Sequence, residues 1–199
     1  HAHPGLTACL HLADADSGLL VTEWLEGRNL RKHFYLNMFS PSRRNIGITA
    51  AGKWLCRLHD TLERKTQIFD TSEFLLDIRN RIQENSGDRR ELHFRYLDVL
   101  ETAAVKLAGE PNTVSLQHGD FSPNNLVIAN KCMDLRSFDF SNPRIAPIEI
   151  DCVRFLLNRA VKLGADFGRG GRHSPWQQTP QWQAFSLGYF GAPDHTPGQ

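Results

Sequence analysis

Apolar residues fall in short runs at the start of the chain and at helical steps through most of its middle. Leu6 to Leu12 and Leu19 to Trp24 flank Ala13-Asp14-Ala15-Asp16-Ser17-Gly18. Asp, Ser and Gly favour a turn, so this segment predicts a β-hairpin. Glu26-Gly27-Arg28-Asn29 interrupts the pattern, and from there to about residue 110 the period is helical. Within Ser42–Asp60, Ile46, Ile48, Ala51, Leu55 and Leu58 recur at three- and four-residue steps, which predicts an amphipathic helix. Asp70-Thr71-Ser72 offers N-cap oxygens to a second helix carrying Phe74, Leu75, Ile78 and Ile82 and ending near Gly87. A third runs from Asp88 to Leu107 with Leu92, Phe94, Leu97, Leu100 and Val105, and stops near Gly109 and Pro111. Val114 to Leu116, Leu126 to Ile128 and Met133 to Phe138 read as short strands. Helical spacing returns from about Ile148 to Leu163, and again around Trp182 to Tyr189 after a stretch rich in Gly and Pro. Strands, helices, short strands and helices in that order predict an α+β fold rather than regular βα alternation.

Composition narrows the class without changing that picture. The chain has 199 residues, 40% hydrophobic and 23% charged, which is ordinary for a folded globular domain and unlike disordered, collagen-like or coiled-coil sequences. Lys plus Arg (23) against Asp plus Glu (22) leaves a net charge of +1, so no strong field draws nucleic acid or an anionic membrane, and neither is expected as a partner. The close basic pairs, Arg43-Arg44 and Arg89-Arg90, sit in polar helical stretches without interleaved aromatics and read as solvated faces. Cys9, Cys56, Cys132 and Cys152 form no CxxC pair, which argues against a zinc site or a disulfide framework and predicts a reduced, cytoplasmic setting. The longest apolar runs fall far short of the roughly 18 residues of a membrane span. Oligomeric state is left open.

Chemistry concentrates in Gln117-His118-Gly119-Asp120-Phe121-Ser122-Pro123-Asn124-Asn125-Leu126-Val127-Ile128, followed by Ser137-Phe138-Asp139-Phe140. Taken singly, Asp120 beside Gly119 reads as a turn former and Asn124-Asn125 after Pro123 as turn chemistry. Taken together, an acid, an amide five positions on and a second acid fourteen beyond that suit phosphoryl transfer. An acceptor must hold a nucleophilic hydroxyl in line with the γ-phosphorus, while a divalent metal on the phosphates needs hard oxygen ligands from a carboxylate and an amide carbonyl.

His-Gly-Asp-x-x-x-x-Asn followed by an Asp at the end of a hairpin resembles the catalytic signature of the aminoglycoside phosphotransferases and the related choline and homoserine kinases. Leu20-Val21-Thr22-Glu23-Trp24-Leu25-Glu26-Gly27 resembles their last N-lobe strand and hinge, and Leu55-Cys56-Arg57-Leu58-His59 their helix ending in Leu-His. Asp151, twelve residues after Asp139, matches the Asp that opens their next helix. The resemblance runs from about residue 3 to about residue 160, with a weaker echo in Phe185-Ser186-Leu187-Gly188-Tyr189. It implies a protein kinase-like fold, mainly the helical C-lobe, with residues 1–25 ending the N-lobe and residues 26–199 forming a C-lobe truncated at its C-terminal end. It implies Asp120 as the catalytic base, Asn125 and Asp139 as magnesium ligands against the ATP phosphates, and backbone groups around Glu23 and Leu25 as the adenine contact, where side-chain identity matters little. His118 and Asp151 would be structural, Asp151 accepting hydrogen bonds in the catalytic-loop region. His59 reads as packing with a local hydrogen bond. Trp24, Trp54, Trp176 and Trp182 read as core or groove aromatics, the last two lying where the family builds its acceptor pocket.

The sequence departs from the family in two respects. No Gly-x-Gly-x-x-Gly precedes the hinge and no Lys occurs before Lys32, so the expectation is either the C-terminal part of a longer kinase or a protein without its phosphate clamp. Ser122 and Asn124 stand where many members have His and Gly, which leaves the substrate subgroup open. The leading expectation is an ATP- and magnesium-dependent phosphotransferase acting on a small-molecule hydroxyl. The alternative is a non-catalytic kinase-like module or remnant, and a carboxylate-metal hydrolase is a more remote third. Residues 1–199 alone are expected not to transfer phosphate efficiently.

Overall fold

The computed structural model describes residues 5–85, 87, 90–128, 133–141, 143–163 and 179–191. In chain order its elements are β1 (Leu10–Asp14), β2 (Leu19–Thr22), β3 (Arg28–Asn29), α1 (Leu30–Leu36), α2 (Pro41–His59), β4 (Lys65–Ile68), α3 (Thr71–Asn85), α4 (Arg90–Leu107), β5 (Pro111–Leu116), β6 (Leu126–Ile128), β7 (Leu135–Ser137), β8 (Ile145–Pro147), α5 (Glu149–Leu163) and α6 (Pro180–Phe190). They divide into two units, residues 1–64 with 115–199, and residues 65–114.

In the first unit the predicted hairpin is present. β1 and β2 pair antiparallel, and the Asp14 carboxylate closes the turn by accepting from the Ser17 hydroxyl at 2.6 Å and from the Asp16 N–H at 3.1 Å. A second sheet runs β3-β6-β7, all antiparallel, with Leu126 opposite Ser137. Thr7 bridges to Ser137 in parallel, so the segment before the hairpin extends that sheet. Gly27, at φ 139°, is where the chain turns into β3, and a Cβ there would run into the Ile128 carbonyl. Asn29 caps α1 by accepting from the Lys32 N–H at 2.8 Å.

The core of this unit forms where α2 lays one stripe against α5, α6 and the sheet. Ile48, Ala51, Trp54, Leu55 and Leu58 are buried, as the helical period predicts, while Ile46 on the same predicted stripe is 52% exposed. α2 and α6 cross closely: the Thr49 hydroxyl donates to the Ala184 carbonyl at 2.9 Å, and Gly52 and Gly188 stand where a side chain would meet the other helix's backbone. α6 starts on a Thr179 cap and ends at Gly191 in the left-handed region, φ 77°.

In the second unit β4 and β5 pair antiparallel, Lys65 opposite Val114 and Ile68 opposite Pro111. Asp70 accepts from the Ser72 N–H at 2.8 Å, the predicted cap, and Arg79 of α3 reaches Glu101 of α4 at 2.6 Å. The expected helical block is therefore interrupted by a strand at β4. Its four residues are all exposed and carry no apolar period, so partnering with β5 rather than local pattern makes it a strand. Of the apolar row expected on α4, Leu97 is buried while Leu92 and Val105 are 47% and 79% exposed, because a helix partner covers only one stripe.

Candidate active site

The loop that follows β5 is held from both sides of Asp120. On one side is His118, wholly buried, whose N–H donates to Asp151 Oδ2 at 2.7 Å. Its Nδ1 accepts from the Asp120 N–H at 3.4 Å, so its proton sits on Nε2, which donates to the Ser137 hydroxyl at 3.1 Å. Burial holds this imidazole below its ordinary pKa, with Asp151 opposing the shift, so the ring is neutral. Phe140 stacks on it at 4.2 Å between centroids. On the other side is Phe121, also wholly buried, stacked on Trp54 at 5.5 Å and lying 5.1 Å from Phe155. Gly119 between them takes φ 82°, a conformation that a side chain resists. Asp120 is thereby fixed in a half-buried position by neighbours that are themselves core residues.

Asn125 is brought back onto Asp120 by a turn in which its N–H donates to the Ser122 carbonyl at 3.0 Å. Its Nδ2 donates to the Asp120 carbonyl at 3.0 Å and to Asp120 Oδ2 at 2.9 Å. That orientation spends the amide's donor on the acid and leaves Oδ1, a hard oxygen, outside the pair. Asp139 follows β7 in the left-handed region, φ 60°, unusual for a residue other than glycine. The bend is pinned on either flank: the Phe138 N–H donates to the Asn125 carbonyl at 3.2 Å, and the Ser141 N–H to the His118 carbonyl at 3.1 Å. Asp120, Asn125 and Asp139 are thus drawn to one place, and Asp139 is exposed there.

No group of three or more His, Cys, Asp or Glu suited to a metal occurs among the described residues. The oxygens on offer are one carboxylate, Asp139, and one amide carbonyl, Asn125. Such a sparse hard-oxygen set fits magnesium, which keeps waters and takes its remaining ligands from phosphates.

Behind the loop, His59 at the end of α2 is wholly buried, with Nδ1 paired to the Tyr189 hydroxyl and Nε2 3.9 Å from Asp151 Oδ2. This is the packing and hydrogen-bonding role expected of it. Ser115 donates its hydroxyl to the His59 carbonyl at 2.6 Å, tying the strand before the loop to the same helix end. Burial lowers the His59 pKa, with Asp151 opposing.

Glu23 and Leu25 lie beyond β2, both half-buried, with the Glu23 N–H donating to the Cys9 carbonyl at 2.8 Å. The Glu23 side chain has a structural partner of its own. Its carboxylate forms a two-pronged pair with Arg136 of β7, Oε1 to Nη1 and Oε2 to Nη2 each at 2.7 Å. Arg136 and Ser137 carry contacts that the motif does not reveal. The only sequence signal for Arg136 is its place between two inward positions of a short strand, which turns it outward. Trp54 and Trp182 are core residues, whereas Trp24 is 87% exposed, which excludes it from the core. Trp176 lies outside the described residues.

Solved structures similar to this chain are small-molecule phosphotransferases of protein kinase-like fold. A choline/ethanolamine kinase family protein from Mesorhizobium loti superposes with a TM-score of 0.61 at 15% identity, covering 94% of this chain and 56% of that one. A glucosamine kinase gives a TM-score of 0.55 at 16% identity, covering 86% of this chain and 47% of that one. An aminoglycoside-3'-phosphotransferase of type VIII gives 0.53 at 16% identity, covering 92% and 73%. The chain therefore spans about half the length of the first two. No curated protein matches it. The sequence matches the model of the phosphotransferase enzyme family over residues 4–182, and with the kinase-like α+β architecture around Asp120, Asn125 and Asp139 this places the chain in that family.

Proposed function

We propose that this chain carries the catalytic loop and metal site of an ATP-dependent kinase that transfers the γ-phosphate to a hydroxyl of a small molecule. The observation that carries this reading is the Asn125 side chain donating to the Asp120 carboxylate at 2.9 Å while backbone hydrogen bonds on either side of Asp139 tie it to the same loop. In this reading Asp120 accepts a hydrogen bond from the acceptor hydroxyl and aims its oxygen at the γ-phosphorus. As the new P–O bond forms and ADP leaves, the hydroxyl proton passes to Asp120. Asn125, by donating to one Asp120 oxygen, keeps the other available for the acceptor. Asn125 Oδ1 and the Asp139 carboxylate would hold magnesium, which when bound draws charge from the phosphate oxygens. Backbone groups at Glu23 and Leu25 would meet the adenine.

Choline, ethanolamine, glucosamine and aminoglycosides, named for the similar structures, are all alcohols that also bear a basic or quaternary nitrogen. We therefore extend the proposal to an alcohol bearing an amine or a quaternary ammonium group as acceptor. In the active enzyme that carries this chain, Asp120→Asn lowers kcat by about 10²–10⁴, the range of a positioned acid-base group, and leaves nucleotide affinity nearly unchanged. Retention of more than half the parental kcat would remove Asp120 from the mechanism.

A further inference from the structure

From Cys9 to Asn29 no residue is buried, although the stretch contains Leu10, Leu12, Leu19, Leu20, Val21 and Trp24. Segments ordinarily hold their place in a fold by burying apolar side chains, and the hairpin with the segment after it has no such anchor among the described residues. The last buried residue before it is Leu6, whose carbonyl accepts from the Trp54 indole N–H at 2.9 Å and from the Ser137 N–H at 2.9 Å. The first one after it is Leu30. Apart from the β3–β6 pairing at its C-terminal end, what ties the intervening chain to the sheet is polar and converges on one side chain. Arg136 gives both terminal nitrogens to Glu23, and its Nη2 also donates to the Thr7 carbonyl at 2.6 Å. Glu23 Oε2 accepts the Cys9 N–H as well, at 3.1 Å. A planar fork on a carboxylate fixes orientation as well as distance, which a single hydrogen bond or a lysine cannot do.

Arg136 sits on β7 opposite Val127 of β6, three residues before Asp139. We infer that the Arg136–Glu23 pair is a strut that sets the segment Glu23–Leu25 at a fixed position relative to the strand delivering Asp139, so that Arg136 is a positioning residue for the adenine end of the nucleotide. This rests on the kinase reading above, in which those two points bind opposite ends of one ATP molecule. A nucleotide grips both ends at once only if their separation is already set, and otherwise part of its binding energy goes into ordering the hairpin. The depressed pKa of Glu23, pushed down to about 2 chiefly by its hydrogen bonds with Arg136, keeps the carboxylate ionised throughout the physiological range.

The test compares two ligands on the active enzyme that carries this chain, by calorimetry: magnesium with a non-hydrolysable ATP analogue, and magnesium with tripolyphosphate, which has no adenine. Arg136→Gln and Glu23→Gln should each weaken the ATP analogue by about fivefold or more, the scale of ordinary coupling between sites, and leave tripolyphosphate unchanged. The reversed pair Glu23→Arg with Arg136→Glu should recover most of the loss. Arg57→Ala, which removes the exposed and longer Arg57–Asp134 contact at 3.8 Å, should change neither affinity. Should Arg136→Gln fail to fold, Glu23→Gln and the reversed pair carry the same comparison. If the variants weaken both ligands equally, or neither, the strut is overturned while the kinase reading stands. If the unaltered enzyme binds neither ligand, the kinase reading falls and the strut with it.

Discussion

Asp139 takes a left-handed backbone at φ 60°. Such a conformation costs a non-glycine residue of order 1–3 kcal/mol and persists only where its surroundings impose it. Here they do, since the backbone bonds of Phe138 to Asn125 and of Ser141 to His118 leave the intervening residue little choice. If that bend presents the carboxylate to magnesium, Asp139→Ala should weaken magnesium-dependent nucleotide binding, because the phosphates lose the charge that neutralises them. Asn125→Ala should act in the same direction but less, since only a neutral carbonyl is lost. Titrating magnesium at fixed ATP reads both, and an unchanged magnesium requirement in the two variants refutes the assignment. The types and order of these residues are legible in the sequence. Arg136 is not, because its partner Glu23 lies 113 positions away and nothing local distinguishes it from a solvated arginine.

The crossing of α2 and α6 shows how tertiary contact reverses a local preference. Gly in a helix interior ordinarily costs up to about 1 kcal/mol against Ala, so Gly188→Ala in isolation would stabilise α6. In the folded chain a Cβ at Gly188 would run into the Thr49 carbonyl and press on Lys53 N at 3.0 Å, contacts with backbone that cannot move aside cheaply. Overpacking of that kind costs about 1–3 kcal/mol, and at about 2–4 °C per kcal/mol for a chain of this size it appears directly in thermal unfolding. A Tm equal to or above that of the parent would show that the helices are free to part. The long helices could be read from their period almost to the residue, α2 at Pro41–His59 against an expected Ser42–Asp60 and α5 at Glu149–Leu163 against Ile148 to Leu163. The seven-residue α1 and the short strands β3, β4 and β8 could not, because so few residues hold too little pattern and take their conformation from a partner.

Across the whole molecule, stability should depend on pH through the two buried imidazoles. His59 and His118 both titrate below their ordinary value of 6.5 because burial disfavours the charged ring. Below that value the unfolded chain binds more protons at these positions than the folded one, so their contribution to stability is full above pH 6.5 and is lost as pH falls. Glu23 acts in a separate and lower window, its contribution present above its ordinary 4.5 and lost toward about 2. Between about pH 7.5 and about pH 5.5 the histidines therefore dominate, Tm should fall, and His59→Gln should reduce the slope. A Tm that is flat or rises on acidification over that interval would show that the folded state accommodates a charged ring there.

The sequence by itself determined what can be settled within a few residues: helical period, the Asp70 cap, the turn at Asp14, and the order of acid, amide and acid from Asp120 to Asp139. Each depends on interactions between near neighbours, so residue type and spacing suffice. The tertiary structure alone decided which buried polar groups meet. His59 finds Tyr189 across 130 positions, and Arg136 finds Glu23 across 113. Residues that far apart have no spacing rule to join them. They come together because α2, α5, α6 and β7 pack around one apolar core, and a polar group carried into that core or to its rim must take whatever partner the packing brings within reach.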